Sequence, residues 1–157
     1  MLDTIFIMKS VAKILLVVCL ALTACHDQKQ VDKDLILEYA AENGLSLNLG
    51  DEGLYYVIDV AGTGVRPDVA STVTVDYEGF TLDGQIFDSS YDRGMAATFP
   101  LANLIRGWQI GIPLFREGGS GTLFLPSHLA YGSDPPPGSG IGPDEVLIFN
   151  IELHTVE

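Results

Sequence analysis

The sequence is poor in several residue types, and each shortage excludes a class of protein. Its 157 residues include only 2 Cys, too few for a disulfide framework, and 3 scattered His, which do not form a zinc cluster. Lys and Arg number 8 against 21 Asp and Glu, so the formal net charge is −13. A surface of that sign repels the phosphates of nucleic acid and argues against a basic membrane-surface helix. We therefore expect a protein that needs no metal, cofactor or nucleic acid.

The apolar content is nevertheless high. Hydrophobic residues make up 47% of the chain. A chain with this content can bury enough apolar surface to offset the conformational entropy lost on folding, which argues against intrinsic disorder. The length suits one ordinary domain with a substantial core.

Much of this apolar content lies near the N-terminus. Residues 11–22 are almost wholly apolar, but the run is short of the roughly 20 residues that a membrane-spanning helix needs. Lys9 and Lys13 give it a positive start, which is typical of a secretory signal peptide. Two starts of this signal peptide are open, Met1 and Met8, because Met8-Lys9 also opens a conventional signal peptide.

The end of the run, Leu22-Thr23-Ala24-Cys25, resembles the lipobox of bacterial lipoproteins. The resemblance implies that residues 1–24 are removed and that Cys25 becomes a lipidated N-terminus attached to a membrane. His26 stands where Asp would retain a Gram-negative lipoprotein in the inner membrane. The expected location is therefore the bacterial cell envelope, at the outer membrane facing the periplasm if the cell is Gram-negative.

Residues 25–52 are predicted to form a tether and an amphipathic helix. Residues 26–32 are polar, Asp32 suits a helix N-cap, and apolar residues recur at helical spacing over 33–43, followed by Gly44. The apolar stripe has three open uses: packing on the domain that follows, spacing that domain from the lipid, or pairing with a partner or a second copy.

From residue 53 to residue 157 the pattern is that of strands separated by turns. Residues 72–80 and 145–154 alternate between apolar and polar, residues 54–60 are rich in β-formers, and 121–126 form a further strand. Asp83-Gly84 predicts a tight turn before residues 85–87, and Gly118 to Gly121 predict another turn. Residues 105–115 are the one helical candidate in this part. The predicted fold is α+β, an antiparallel sheet with one short helix against it.

Eight short motifs follow one another in this region. They are Val73-Thr74-Val75-Asp76-Tyr77-Glu78-Gly79, Leu82-Asp83-Gly84, Phe87-Asp88-Ser89-Ser90, Ile105-Arg106-Gly107-Trp108, Leu125-Pro126, Leu129-Ala130-Tyr131-Gly132, Ile141-Gly142-Pro143 and Leu147-Ile148-Phe149. In order and spacing they resemble the FKBP-type peptidyl-prolyl cis-trans isomerases, in particular a bacterial lipoprotein member. The resemblance implies a twisted antiparallel sheet wrapped around one short α-helix, with the site between them.

The resemblance also implies a set of site residues. Trp108 would lie at the pocket floor under the proline ring, the Ile141 N–H and the Tyr131 hydroxyl would hold ligand carbonyls, and Asp88 would face the pocket, steadied by Tyr77 or Arg93. The expected catalytic residues are Tyr77, Phe87, Asp88, Trp108, Tyr131, Ile141 and Phe149, and the expected substrate-binding residues are Arg93, Phe99, Leu104 and Ile105. Proline-containing polypeptides and macrolide inhibitors are the expected ligands.

These residue types suit rotation about an X–Pro bond, because that reaction breaks no covalent bond. The twisted amide has lost resonance and is less polar than the planar one, so an apolar pocket favours it. Two alternatives remain open: a module that binds proline segments with incidental turnover, and a structural envelope lipoprotein.

The sequence departs from the family in three places. Ala97 stands where some members have a second pocket aromatic residue, residues 133–140 form a proline-rich flap, and Gly142 replaces a proline that is common after the isoleucine. Substrate preference is the property that these changes affect most.

Overall fold

The computed structural model describes residues 27–157. The predicted signal peptide, Cys25 and His26 lie outside the described residues. The described part begins with helix α1 (Gln28–Glu42), whose N-cap is Asp27; the Asp27 side chain accepts a hydrogen bond from the Lys29 N–H.

The predicted start of this helix was wrong. Asp32, expected as the N-cap of a helix over 33–43, lies inside α1, and residues 28–32 of the expected tether are helical. Both aspartates are suitable cap residues, and local sequence does not choose between them. The Asp32 side chain is fully buried and accepts hydrogen bonds from Ser127, 95 residues away, which no local pattern reveals.

Seven antiparallel strands follow in one sheet. They are β1 (Asn48–Leu49), β2 (Tyr55–Val60), β3 (Thr72–Thr81), β4 (Ile86–Ser89), β5 (Ala97–Pro100), β6 (Gly119–Leu125) and β7 (Leu147–Val156). Their spatial order is β1-β2-β6-β7-β3-β4, with β5 pairing β3. The helices after α1 are α2 (Ser90–Arg93) and α3 (Arg106–Gly111), with 3-10 turns at Asp51–Gly53, Leu101–Asn103, Ile112–Leu114 and Ser127–Leu129. The expected α+β fold is confirmed.

Apolar side chains form two clusters of buried residues. The larger contains Trp108 of α3 with the alternating residues of β3 and β7, among them Val73, Val75 and Ile151. The smaller contains Ile36 of α1 with Tyr55, Phe124, Val146 and Ile148. Of the three uses open to α1, the structure therefore shows packing on its own domain.

The long strands lie close to where the apolar/polar alternation of the sequence predicts them, whereas the shortest elements were not predicted. The predicted strand over 145–154 is shifted to Leu147–Val156, and β6 begins at Gly119, inside the stretch expected to be a turn. β1, β5 and α2 were not predicted. They have only 2 to 4 residues each, too few to show a periodic pattern.

The helical candidate over 105–115 is divided into α3 and the 3-10 turn Ile112–Leu114. Gly107 and Gly111 weaken the helix, but they allow α3 to lie close to β6. A Cβ at Gly107 would lie 2.5 Å from a methyl group of Leu125, and one at Gly111 would lie 2.5 Å from Leu123. Close packing over the sheet therefore explains both glycines.

Within residues 27–157, no helix combines the length and the apolar character needed to cross a bilayer.

Candidate functional site

A pocket of about 350 Å³ opens beside α3. That volume falls within the range of small-ligand sites. Most of its wall is aromatic or aliphatic, with few polar groups. It is lined by Tyr77, Phe87, Asp88, Phe99, Asn103, Leu104, Ile105, Trp108, Tyr131 and Phe149.

Trp108 stands at the centre of the aromatic wall. Its ring meets the rings of Tyr77, Phe99 and Phe149 edge to face, with centroids 5.1, 6.2 and 5.3 Å away. Phe87 meets Phe149 in the same manner at 5.6 Å. This geometry is favourable for aromatic pairs and fixes the orientation of each ring. The pocket wall is therefore preformed.

Four strands, helix α3, the loop before that helix and the segment around Tyr131 supply this wall. Tyr77 and Phe149 lie on the adjacent strands β3 and β7, and Phe99 lies on β5, which pairs with the other edge of β3. The loop before α3 carries Asn103, Leu104 and Ile105, and the Gln109 side chain donates to the Leu104 carbonyl at 2.8 Å and to the Ala102 carbonyl at 3.1 Å. Helix α3 thus fixes the loop that it follows.

Three hydrogen-bonded polar side chains, those of Tyr77, Asp88 and Arg93, lie at the edge of the aromatic wall. The Asp88 carboxylate accepts hydrogen bonds from the Tyr77 hydroxyl and from the Arg93 guanidinium. Arg93 also donates to the Tyr77 hydroxyl oxygen at 2.9 Å, and its guanidinium carbon lies 5.4 Å from the centre of the Tyr77 ring. Tyr77 and Arg93 both hold Asp88, where the sequence left a choice between them.

The two tyrosines of the pocket remain protonated at neutral pH. Burial, reinforced by the Asp88 carboxylate, raises the pKa of Tyr77 to about 12. Burial also raises the pKa of Tyr131, with a smaller contribution from Asp88. Both hydroxyls therefore keep their proton: Tyr77 donates it to Asp88, and that of Tyr131 can be donated to a ligand.

Nine of the eleven expected site residues line this pocket, and Arg93 and Ile141 do not. Arg93 acts on the pocket through Asp88 and Tyr77. Ile141 is half-buried against the main core, and its N–H donates to the Ser139 hydroxyl at 3.2 Å. Sequence reasoning missed Asn103, which lies at the end of a 3-10 turn and carries no signal in its residue type.

The proline-rich flap contacts the turn between β3 and β4. The Gln85 side chain donates to the Gly140 carbonyl at 3.2 Å, and the Gly142 N–H donates to the Glu145 carboxylate. The flap is thus held on both sides of Ile141. Ala97 lies on β5 and packs on the main core instead of lining the pocket.

One buried polar atom in the pocket wall lacks a partner. Among the buried side-chain nitrogens and oxygens of residues 27–157, only Trp108 Nε1 has no hydrogen bond. A buried donor left in that state is costly.

Residues 27–157 also contain no cluster of three or more His, Cys, Asp or Glu side chains able to hold a metal ion.

A model of the FKBP-type peptidyl-prolyl cis-trans isomerases matches residues 64–154, more than half of the chain. The chain belongs to this family. The match extends from the loop before β3 nearly to the end of β7, so it includes every residue that lines the pocket.

Curated relatives agree with the family model. The chain is 40% identical over 125 residues to a probable FKBP-type isomerase FkpA of Neisseria meningitidis, and 45% identical over 105 residues to the isomerase Mip of Coxiella burnetii. These alignments cover 80% and 67% of this chain but 45% of each relative. The chain therefore spans a little under half the length of the curated relatives it matches.

Solved structures show the same architecture. The crystal structure of FkpA from Escherichia coli aligns with 99% of this chain and 70% of its own, with a TM-score of 0.73 and 33% identity. An isomerase from Pseudomonas syringae aligns with 83% of this chain and 93% of its own, with a TM-score of 0.72 and 29% identity.

Proposed function

We propose that this FKBP family member is a peptidyl-prolyl cis-trans isomerase that accelerates X–Pro rotation in exported proteins. The observation that carries the proposal is the preformed aromatic pocket around Trp108, bordered by the linked side chains of Asp88, Tyr77 and Arg93. Family membership supports the activity, and the roles of the site residues are assigned from the resemblance of the motifs and, for nine of the eleven, from their positions in the pocket wall.

The apolar pocket is suited to lowering the barrier to amide rotation, which is about 18–20 kcal/mol without a catalyst. Rotation removes the resonance of the amide and with it part of the polarity of the carbonyl. Water solvates the planar form better than the twisted one, whereas an apolar wall makes no such distinction. The wall of Trp108, Phe87, Phe99 and Phe149 therefore favours the twisted state relative to water, which is differential binding of the transition state.

Hydrogen bonds must hold the flanking backbone while the ring turns. The Tyr131 hydroxyl is a protonated donor in the pocket wall and is assigned to one ligand carbonyl. The Ile141 N–H is assigned to another, and it becomes available when a ligand carbonyl replaces the Ser139 hydroxyl. The Asp88 carboxylate acts by fixing Tyr77 and Arg93 at the edge of the pocket.

A proline-peptide assay tests this function. The purified full chain is expected to accelerate cis-trans relaxation of X–Pro peptides. Tyr131→Phe should lower kcat/KM about 2-fold to 10-fold, the value of one net hydrogen bond. Tyr56→Phe makes the same change on β2, outside the pocket, and should leave kcat/KM unchanged. A wild-type chain inactive on a panel of residues before proline would contradict the proposal.

The same samples report binding separately from turnover. Trp108 is the only tryptophan of the sequence, so its fluorescence should change when a proline peptide or a macrolide inhibitor occupies the pocket. If Asp88→Val, followed by fluorescence, or Trp108→Ala, which lacks the tryptophan and is followed by calorimetry, loses turnover while peptide binding and client interaction persist, the protein is a proline-segment binding module instead.

The proposed location is the cell envelope, with attachment through lipid at Cys25. The lipobox at residues 22–25 supports this proposal, and one relative, 44% identical over 105 residues, is named outer membrane protein MIP in Legionella longbeachae. Two or more acyl chains are needed for firm anchoring, since one binds only marginally.

Metabolic labelling tests the anchor. Cells that express the full chain should incorporate labelled palmitate into it, and Cys25→Ala should abolish the label. Cys19→Ala changes the other cysteine of the sequence and should leave the label intact. Labelling that survives Cys25→Ala would exclude this residue as the attachment point.

A further inference from the structure

Helix α1 carries a buried acidic side chain that no part of the proposed mechanism uses. Within residues 27–157, Asp32 is the one charged side chain that is buried, with no exposed surface. A buried carboxylate is costly unless donors surround it. One oxygen of Asp32 accepts from the Gln28 amide at 2.7 Å, and the other accepts both from the Ser127 N–H at 2.8 Å and from the Ser127 hydroxyl at 2.7 Å.

Asp32 therefore satisfies both donors of one residue in another element. Ser127 opens the 3-10 turn Ser127–Leu129 and is itself buried. Its N–H and hydroxyl point away from that turn into α1, so the helix fixes the orientation of the Ser127 peptide. An N–H bond and a hydroxyl bond to the same oxygen leave this residue little freedom to rotate.

The other side of Ser127 holds the segment that carries Tyr131. The Ser127 carbonyl accepts hydrogen bonds from the Ala130 N–H and the Gly132 N–H, both at 2.9 Å. These two residues flank Tyr131 directly. The Gly132 carbonyl in turn accepts from the Asp144 N–H at 2.8 Å, which secures the far end of the segment.

We infer that Asp32 is a positioning residue for the isomerase site: through Ser127 it sets the backbone on both sides of Tyr131 and so the place of the Tyr131 hydroxyl in the pocket. This inference rests on the proposed function for its effect on turnover. It gives α1 a role in the site as well as in the core, because the Tyr131 segment is fixed in part by a helix that lies outside the matched family region, residues 64–154.

Kinetics of the full chain test the inference through a double-mutant cycle. Asp32→Ala should lower kcat/KM by the same factor as Tyr131→Phe, about 2-fold to 10-fold. The double variant should be no slower than Tyr131→Phe alone, because Asp32 acts through that hydroxyl. Asp32→Asn keeps an oxygen that accepts from Ser127 and should retain most of the activity. Asp34→Asn changes an exposed acid of the same helix and should match the wild type.

Fluorine NMR gives a second readout that needs no turnover. The chain is labelled with 3-fluorotyrosine, and the signal of Tyr131 among the 6 tyrosines is assigned from its loss in Tyr131→Phe. Asp32→Ala should shift or broaden that signal, and Asp34→Asn should not. If Asp32→Ala does not fold at the assay temperature, Ser127→Ala takes its place, since it removes the hydroxyl hydrogen bond to Asp32 and keeps the N–H one.

Three results would overturn the inference. The first is a double variant whose loss of kcat/KM equals the product of the losses in the two single variants. The second is a folded Asp32→Ala with wild-type kcat/KM. The third is a Tyr131 fluorine signal that is unmoved in Asp32→Ala or Ser127→Ala. A wild-type chain without activity on any peptide would instead refute the proposed function, and the fluorine signal would still decide the role of Asp32.

Discussion

At the scale of single residues, the site depends on polar groups placed around an apolar wall. Tyr77 illustrates this, since its ring packs against Trp108 while its hydroxyl donates to Asp88 and accepts from Arg93. Ring and hydroxyl thus serve different parts of the site. Because the folded environment disfavours the ionised phenolate, the charge state of Tyr77 is coupled to folding.

We expect this coupling to appear at alkaline pH. The pKa of Tyr77 rises from 10.0 to about 12 on folding. Its stabilising contribution is therefore complete below pH 10 and is lost as the pH rises through about 12, because the unfolded chain ionises first. Urea unfolding from pH 8 to pH 11 should show the free energy of unfolding falling less steeply above pH 10 in Tyr77→Phe than in the wild type.

An absorbance titration near 295 nm serves as the control. Tyr77 and Tyr91 both have a pKa raised to about 12, and the pKa of Tyr131 is raised as well, so Tyr77→Phe should titrate one late tyrosine fewer than the wild type. Equal steepness of the two unfolding curves above pH 10 would disprove the coupling.

At the scale of elements, close approach between strands and helices explains residues that propensity alone disfavours. Gly79 lies in the second half of β3, opposite Phe149 on β7 and Asp88 on β4. A Cβ there would lie 2.7 Å from the Phe87 ring and 2.8 Å from the Phe149 ring. Since both rings line the pocket, the absent side chain at Gly79 is what lets them occupy that wall.

Gly79→Ala should therefore affect both stability and the site. Overpacking of this kind typically costs about 1–3 kcal/mol, and the displaced rings should weaken proline-peptide binding measured by Trp108 fluorescence. Gly50→Ala is the matched control, because its Cβ meets nothing closer than 3.5 Å and should change stability by less than about 0.5 kcal/mol. Unaltered peptide binding in a destabilised Gly79→Ala would show that the rings recover their places.

At the scale of the whole molecule, α1 is part of the folded unit that carries the site. Ile36 has no exposed surface and packs with Phe124 of β6 and Ile148 of β7 on the sheet face opposite the main core residues of those strands. α1 is thus joined to the sheet by apolar contacts as well as by the Asp32 hydrogen bonds. We expect helix and sheet to unfold in one cooperative transition.

Truncation of Ile36 tests this integration. Ile36→Ala should lower the free energy of unfolding by about 2–5 kcal/mol, the usual cost of removing a large buried side chain. Leu37→Ala, at a neighbouring position that is 42% exposed, should cost less than about 0.5 kcal/mol. Thermal unfolding followed by circular dichroism measures both. A separate early transition confined to helical signal in the wild type would show instead that α1 melts independently.

The sequence by itself determined the features that are local. Alternation over β3 and β7 predicts their buried faces because a strand places every second side chain on one side. The order of the motifs indicates the family, and with it nine of the ten residues that line the pocket. These signals need no knowledge of distant contacts.

The tertiary structure alone decided the features that depend on partners far along the chain. Asp32 is a buried acceptor instead of a helix cap because Ser127 meets it. β1 and β5 exist because β2 and β3 offer hydrogen-bonding edges, and the Ile141 N–H is occupied because the flap brings Ser139 to it. Hydrogen bonds of this kind are fixed by three-dimensional proximity, which sequence periodicity does not record.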